Sequence, residues 1–189
     1  VGSLETFESE AGNPFSTGTA WKYNAGMDAK FGITNNMTLD LTVNPDFGQV
    51  EADPSEVNLT AYETFFEEKR PFFIEGNNIT SFRTGLGDGD LGFDNLFYSR
   101  RIGRSPHLWA DTEDNEYARM PRVTPIIGAA KLTGKTPDGL SVGIVEAITA
   151  EGRAEIDSLG ERSWQTVEPL TNYLISRVMK DFNGGKTVI

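Results

Sequence analysis

Apolar and polar residues alternate over long stretches of the chain. Trp21, Tyr23, Ala25, Met27, Ala29, Phe31 and Ile33 fall on one face of an extended backbone, and Lys22, Asn24, Gly26, Asp28, Lys30 and Gly32 fall on the other. A period of two is the mark of a strand. Held from Trp21 to Ile33, it predicts one strand of about 43 Å, enough to cross the hydrocarbon core of a bilayer even when tilted. Its aromatic ends, Trp21 and Phe31, sit where an interfacial girdle is found. Thr34, Asn35 and Asn36 predict a tight turn. A second strand follows, with Met37, Leu39, Leu41 and Val43 on one face and Thr38, Asp40, Thr42 and Asn44 on the other, closed by Pro45. The two make an antiparallel hairpin. Residues 1–20, small and polar, predict an irregular or edge lead-in.

The rhythm stops over residues 45–122 and then resumes. Residues 124–133 read as a strand, Lys135 to Gly139 as a tight turn, and Leu140, Val142, Ile144 and Ile148 as one face of the next strand, with Glu146 as an exception on it. Residues 151–169 predict a second, charged connection, and residues 172–181 a further strand. Phe182 to Lys186 read as a hairpin turn into a last strand start. Within the interruption, residues 57–68 predict a short helix. A segment this long without structure is unusual in a compact domain, so the insertion is expected to be folded or functional.

Short turns therefore alternate with long connections along an all-β antiparallel meander. That alternation fits a transmembrane β-barrel, and six strand starts would be the N-terminal part of a larger one. A water-soluble antiparallel sandwich with one solvated face fits the pattern as well. The domain reading is a lead-in over 1–20 and the first barrel strands over 21–189, with the insertion at 45–122. Under the barrel reading Tyr23, Ala25, Met27, Ala29, Leu39 and Leu41 face lipid, while Asn24, Asp28, Lys30 and Asp40 face the lumen.

Composition narrows the chemistry. Lysine and arginine number 17 against 28 aspartates and glutamates, a net charge of −11. Nucleic acid is not an expected partner, because phosphate binding needs a basic face. With no cysteine and one histidine, His107, thiolate sites and paired-histidine sites are excluded. His107 follows Pro106 in a loop and is expected at the surface. No apolar run is long enough for a membrane-spanning helix. The chain opens on Val1, which predicts a processed chain or an interior fragment.

The string NPDFGQVEADPSEVNLTAYETFFEEKRPFFIEG, from Asn44 to Gly76, resembles a family of large bacterial surface proteins that carry a domain of unknown function, usually behind a module similar to family 9 carbohydrate-binding modules. The likeness continues through LFYSRRIGR (Leu96 to Arg104), IIGAAKLTGKT (Ile126 to Thr136) and VEPLTNY (Val167 to Tyr173). The resemblance implies an outer-membrane β-barrel of a Gram-negative bacterium, with this chain at the barrel's beginning. Its implied partners are outer-membrane lipid, the remainder of the barrel, a preceding carbohydrate-binding-like module and other outer-membrane proteins. It carries no catalytic residues.

Three clusters are candidates for chemistry. Asp46, Glu51, Asp53 and Glu56 offer oxygen ligands for calcium, or a glycosidase pair, against the plainer reading of turn and helix caps around Asp53-Pro54. No other cofactor is expected. Gly87 to Asp94 look like a calcium loop without its spacing or its terminal glutamate. Arg100, Arg101 and Arg104 form the concentrated positive patch, suited to sugar or lipopolysaccharide anions. The plainer reading pairs them with Glu67, Glu68 or Glu75 in a polar lumen. Phe65, Phe66, Phe72 and Phe73 make the segment one that packs, and place it as a partial plug. The expected function is non-enzymatic passage or surface handling of a ligand such as a glycan. The rivals are a soluble β-rich carbohydrate-binding protein and a surface hydrolase using the acidic cluster.

Overall fold

The computed structural model describes residues 2–45, 66–81, 97–182 and 187–188. The helix expected over 57–68 falls mainly outside them, and its described end, 66–68, is not helical. Strands dominate: β1 (Gly2–Thr6), β2 (Thr19–Tyr23), β3 (Met27–Thr34), β4 (Met37–Val43), β5 (Glu116–Arg119), β6 (Ile126–Lys135), β7 (Leu140–Thr149), β8 (Gly152–Ser158), β9 (Glu161–Glu168), β10 (Thr171–Phe182) and β11 (Thr187–Val188). Two single-turn helices, α1 (Pro71–Ile74) and α2 (Asn77–Thr80), and a 3₁₀ turn at Ser99–Arg101 lie between β4 and β5. The fold is all-β, and every strand pair is antiparallel.

The main sheet has six strands in the order β11-β10-β7-β6-β4-β3. Its register puts Met27, Ala29, Phe31, Leu39, Leu41, Val43, Ala130, Leu132, Val142, Ile144, Ile148, Leu174 and Val178 on one face. The other face carries Lys30, Asp40, Thr42, Lys131, Thr133, Ser141, Val145, Ala147, Thr149 and Tyr173. Among the described residues, only this second face is covered. Phe73 and Ile102, from the segment between β4 and β5, pack on Ile126, Val145 and Ala147 with Phe72, Phe97, Ala129 and Tyr173 around them. The turns β3–β4 and β6–β7 lie at one end of the sheet, and the long connections leave from the other.

The unbroken alternation from Trp21 to Ile33 is two strands, not one. β2 pairs with β1 and β3 pairs with β4. The chain is diverted between them at Asn24, Ala25 and Gly26. Asn44, whose backbone is left-handed (φ 45), donates its side-chain amide to Asn24 Oδ1 and to the Ala25 carbonyl, each at 2.7 Å. Gly26 makes this crossing possible, since a Cβ there would lie 2.2 Å from the Asn44 carbonyl oxygen. The lead-in, expected to be irregular or edge structure, holds the edge strand β1, paired with β2.

Residues 151–169 are a hairpin and not a loose connection. β8 and β9 prolong β7 and β10, keeping one register from Thr149/Thr171 to Gly152/Glu168 before slipping by a residue. Leu159 and Gly160 turn it with positive φ at both positions (54° and 94°), the requirement of a type I′ turn. Its charges pair across strands: Arg162 reaches Glu155 and Asp157 at 2.9 Å each, and Arg119 of β5 reaches Glu155. β5, β8 and β9 form a three-stranded sheet, so the insertion contributes a strand as well as two helices.

Gly26→Ala is expected to lower the unfolding free energy by about 2–3 kcal/mol, because backbone must move to admit the methyl group. Gly160→Ala has open space around it and is expected to cost about 1 kcal/mol through its left-handed backbone alone. Denaturant titration of both variants measures the difference.

Candidate functional site

The covered face of the sheet holds the chemistry. Charge there is strung across adjacent strands. Lys30 on β3, Asp40 on β4 and Lys131 on β6 stand side by side, because Lys30 opposes Asp40 and Asp40 opposes Lys131 in the ladders. Asp40 forms an ion pair with each, its carboxylate 3.5 Å from Lys30 Nζ and 3.4 Å from Lys131 Nζ. Glu75, just after α1, also pairs with Lys30. The Lys131 side chain is 2% exposed. Its ammonium donates to the Phe72 carbonyl and, at 2.8 Å, to the Glu75 carbonyl, and lies 4.8 Å from the centre of the Phe72 ring. A buried ammonium needs such acceptors, since an unpaired one is costly.

A second network fixes the segment itself. Arg70 takes Glu68 in a two-pronged pair, Nε to Oε1 at 2.8 Å and Nη2 to Oε2 at 2.7 Å. The same guanidinium donates to the carbonyls of Ile102 (2.6 Å) and Ser99 (2.7 Å) and stands 4.4 Å from the centre of the Phe73 ring. The Ser99 hydroxyl donates to Glu68 Oε2 at 2.5 Å. Arg70 thereby ties residues 66–73 to residues 99–102. Burial alone would raise the Glu68 carboxyl, but the Arg70 bonds and charge, with the Ser99 hydroxyl, hold it below its ordinary value.

A third pair lies at the long-connection end. His107 donates its backbone N–H to Glu168 Oε2 at 2.8 Å, and its ring Nδ1 sits 2.5 Å from the same oxygen. Burial would raise Glu168, and the His107 contacts together with the charge of Arg104 bring it below its usual value. His107 lies at the surface, as expected. Its ring is half-exposed, yet it is anchored to a buried carboxylate 61 positions away.

The expected arginine patch is divided. Arg100 and Arg101 belong to the 3₁₀ turn, with Arg101 6.0 Å from the centre of the Tyr98 ring. Arg101 and Arg104 line a small recess with Gly103, Thr124, Thr149, Glu168 and Tyr173. Two of the acids expected to pair with the patch are engaged by other cations: Glu68 by Arg70 and Glu75 by Lys30. Arg70 had the same sequence signal as its neighbours, and only its place before Pro71 at the start of α1 sets it apart. Lys131, flanked by Gly128, Ala129 and Ala130, was legible as a charge in mid-strand. The acidic set Asp46, Glu51, Asp53 and Glu56, and the stretch Gly87 to Asp94, lie outside the described residues. Among the described residues no group of three histidines or carboxylates is placed to hold a metal ion.

A shallower cleft of about 380 Å³ lies at the far end, lined by Gly12, Pro14, Asn115, Tyr117, Asp157, Leu159, Gly160 and Arg162. Phe15 packs beneath Arg119 and Arg162, at 5.2 and 4.3 Å from its ring centre. This ties the lead-in to the three-stranded sheet.

Two outcomes are expected. Asp40→Ala should lose about 3–5 kcal/mol, because it removes the carboxylate facing a buried lysine, and Asp40→Leu combined with Lys131→Met should recover only part of the loss, since the Phe72 and Glu75 carbonyls then lose their donor; chemical denaturation of the two variants decides. Glu68, held below its unfolded value, contributes stability that is complete above the ordinary carboxylate range and is lost as pH falls through its lowered folded value. Glu68→Gln should therefore be less stable than wild type at pH 7 and converge with it toward pH 3 in parallel unfolding curves.

No curated protein and no solved structure matches the chain. A family profile does, over residues 3–189, nearly the whole length. The chain belongs to the family of the domain of unknown function DUF5916.

Proposed function

We propose that this chain is wall and lumen lining of a Gram-negative outer-membrane β-barrel, a non-enzymatic protein concerned with passage or surface handling of a ligand such as a glycan. The observation that carries the reading is the inversion of the main sheet. Its covered face holds Lys131, Asp40, Thr42, Thr133, Ser141 and Thr149, all buried. Its apolar face is bare: Met27 is 68% exposed, Leu174 65%, Val178 61% and Phe31 51%. A sheet built for water hides such residues and shows the polar ones. A barrel wall does the reverse, with apolar side chains toward lipid and polar ones toward the lumen.

Other features support it. Strands β6 and β7 have ten residues each and β10 twelve, the length a tilted transmembrane strand needs. Short turns gather at one end and the β8–β9 extension at the other, as periplasmic turns and external hairpins do. Trp21 and Tyr23, exposed and with rings parallel at 6.3 Å, precede β3 at the long-connection end, where an aromatic girdle would lie. The edges, β3 on one side and β11 on the other, would be met by the rest of the barrel. The family resemblance adds a preceding carbohydrate-binding-like module as partner. It is also what favours a glycan as ligand.

Leu174→Arg separates the membrane reading from a soluble carbohydrate-binding one. In water a substitution at so exposed a position changes stability by within about 0.5 kcal/mol. Facing the middle of a bilayer it costs about 2–4 kcal/mol. Folding free energies of the full-length protein in lipid vesicles are expected to show the larger loss. A neutral Leu174→Arg, with the protein monodisperse in water without detergent, would sink the proposal.

A further inference from the structure

Helices α1 and α2 are one turn each, with no side-chain cap at either N-terminus. Helices so short have no stability of their own. Their order comes from the sheet. Lys131 of β6 holds the Phe72 carbonyl in α1 and the Glu75 carbonyl just after it. Arg177 of β10 reaches the carbonyls of Asn78 and Ile79 in α2, at 3.4 and 3.3 Å. Carbonyls near a helix C-terminus lack intrahelical partners, and cations are favoured there. The two cations come from strands on either side of β7, so the helical pair lies across three strands.

Shape matches charge. At Gly143, on β7 between the two cations, an added Cβ would meet Ile79 Cγ2 and Thr80 Cγ2 at 3.0 Å. At Gly76, left-handed between the two helices, it would meet Thr133 of β6 at 3.1 Å. The sheet offers a slot where the helices sit, and the helices turn on a glycine to enter it. By contrast the Lys30–Glu75 pair is half-exposed on both sides and contributes little to the seating.

We propose that the α1–α2 pair is a seated plug that closes the lumenal path in the resting protein, and that Lys131 and Arg177 set how firmly it is held. This rests on the membrane-wall reading above. The plug is a closing device because it occupies the face that reading assigns to the lumen. The two cations grip the plug's backbone carbonyls, while Phe72 and Phe73 pack their rings against the same face of the sheet.

The test is ion conductance of the full-length protein in planar lipid bilayers. Wild type is expected to be mostly closed. Lys131→Met with Arg177→Met should raise the open fraction on the order of tenfold or more. Arg177→Met alone leaves the buried lysine in place and should give a smaller rise, so a folding defect in the double variant does not hide the answer. The pair Gly143→Cys and Thr80→Cys, in a chain without cysteine, should form a disulfide under copper–phenanthroline. Added to Arg177→Met, it should abolish the rise until reduced. Equal conductance in wild type, cation variants and both redox states of the staple overturns the plug, as does failure of the staple to form. A protein that never enters the bilayer overturns the wall reading, and the plug with it.

Discussion

A lysine ammonium withdrawn from water must be given acceptors, and the arrangement of this protein follows from how Lys131 obtains them. One comes from a neighbouring strand, Asp40, and the rest from the backbone of a segment distant in sequence. The requirement is reciprocal. The carbonyls of Phe72 and Glu75 gain a donor, and the charged side of the sheet gains a cover. Coulomb attraction to Asp40 holds this geometry because Lys131 also donates hydrogen bonds to the two carbonyls. The apolar cluster of Phe73, Ile102, Ile126, Val145 and Ala147 fills the remainder of the same layer. The buried charge and the packing are thus on one side of the sheet, and the other side is mostly apolar, with Glu146 and Asn172 as a hydrogen-bonded polar exception.

Much of the sheet was legible in the sequence. Met37 to Val43 alternates cleanly and forms β4; residues 172–181 fall within β10; and the turns at Asn35-Asn36 and Asp138-Gly139 are where turn chemistry puts them. The facial assignment of Lys30 and Asp40 was legible for the same reason. The break between β2 and β3 was not. Alternation passes through Asn24 to Gly26 without a flaw, and the interruption depends on Asn44, twenty positions away from Asn24. Nor was the β8–β9 hairpin, because Arg153, Glu155 and Asp157 give a charged look to a strand in which Gly152, Ala154 and Ile156 are buried. Local pattern reports which face a residue takes; it does not report with which strand the backbone pairs.

The site was less legible than the sheet. Arginine density pointed to residues 100–104, but the guanidinium that organises the segment is Arg70, whose role depends on carbonyls of Ser99 and Ile102 brought to it by the fold. His107 likewise acquires its meaning from Glu168. Such contacts join positions separated by dozens of residues, and no spacing rule in the sequence encodes them.

The continuity of β7 with β8 and of β9 with β10 bears on the order in which the chain assembles. From the turn at Leu159-Gly160, pairing can proceed residue by residue down to Leu140 and Lys180, each new bond closing almost no additional loop. Joining β4 to β6 instead requires bringing Val43 and Gly128 together across the whole intervening segment. Loop-closure entropy makes that step roughly 3 kcal/mol more expensive than a two-residue turn. The long hairpin is therefore the natural nucleus, a zipper that forms early and presents β7 as a template. β6 adds to it through its own tight turn. The β3–β4 hairpin joins β6 across the insertion, so the charged row of Lys30, Asp40 and Lys131 is completed by the pairing with the largest loop to close.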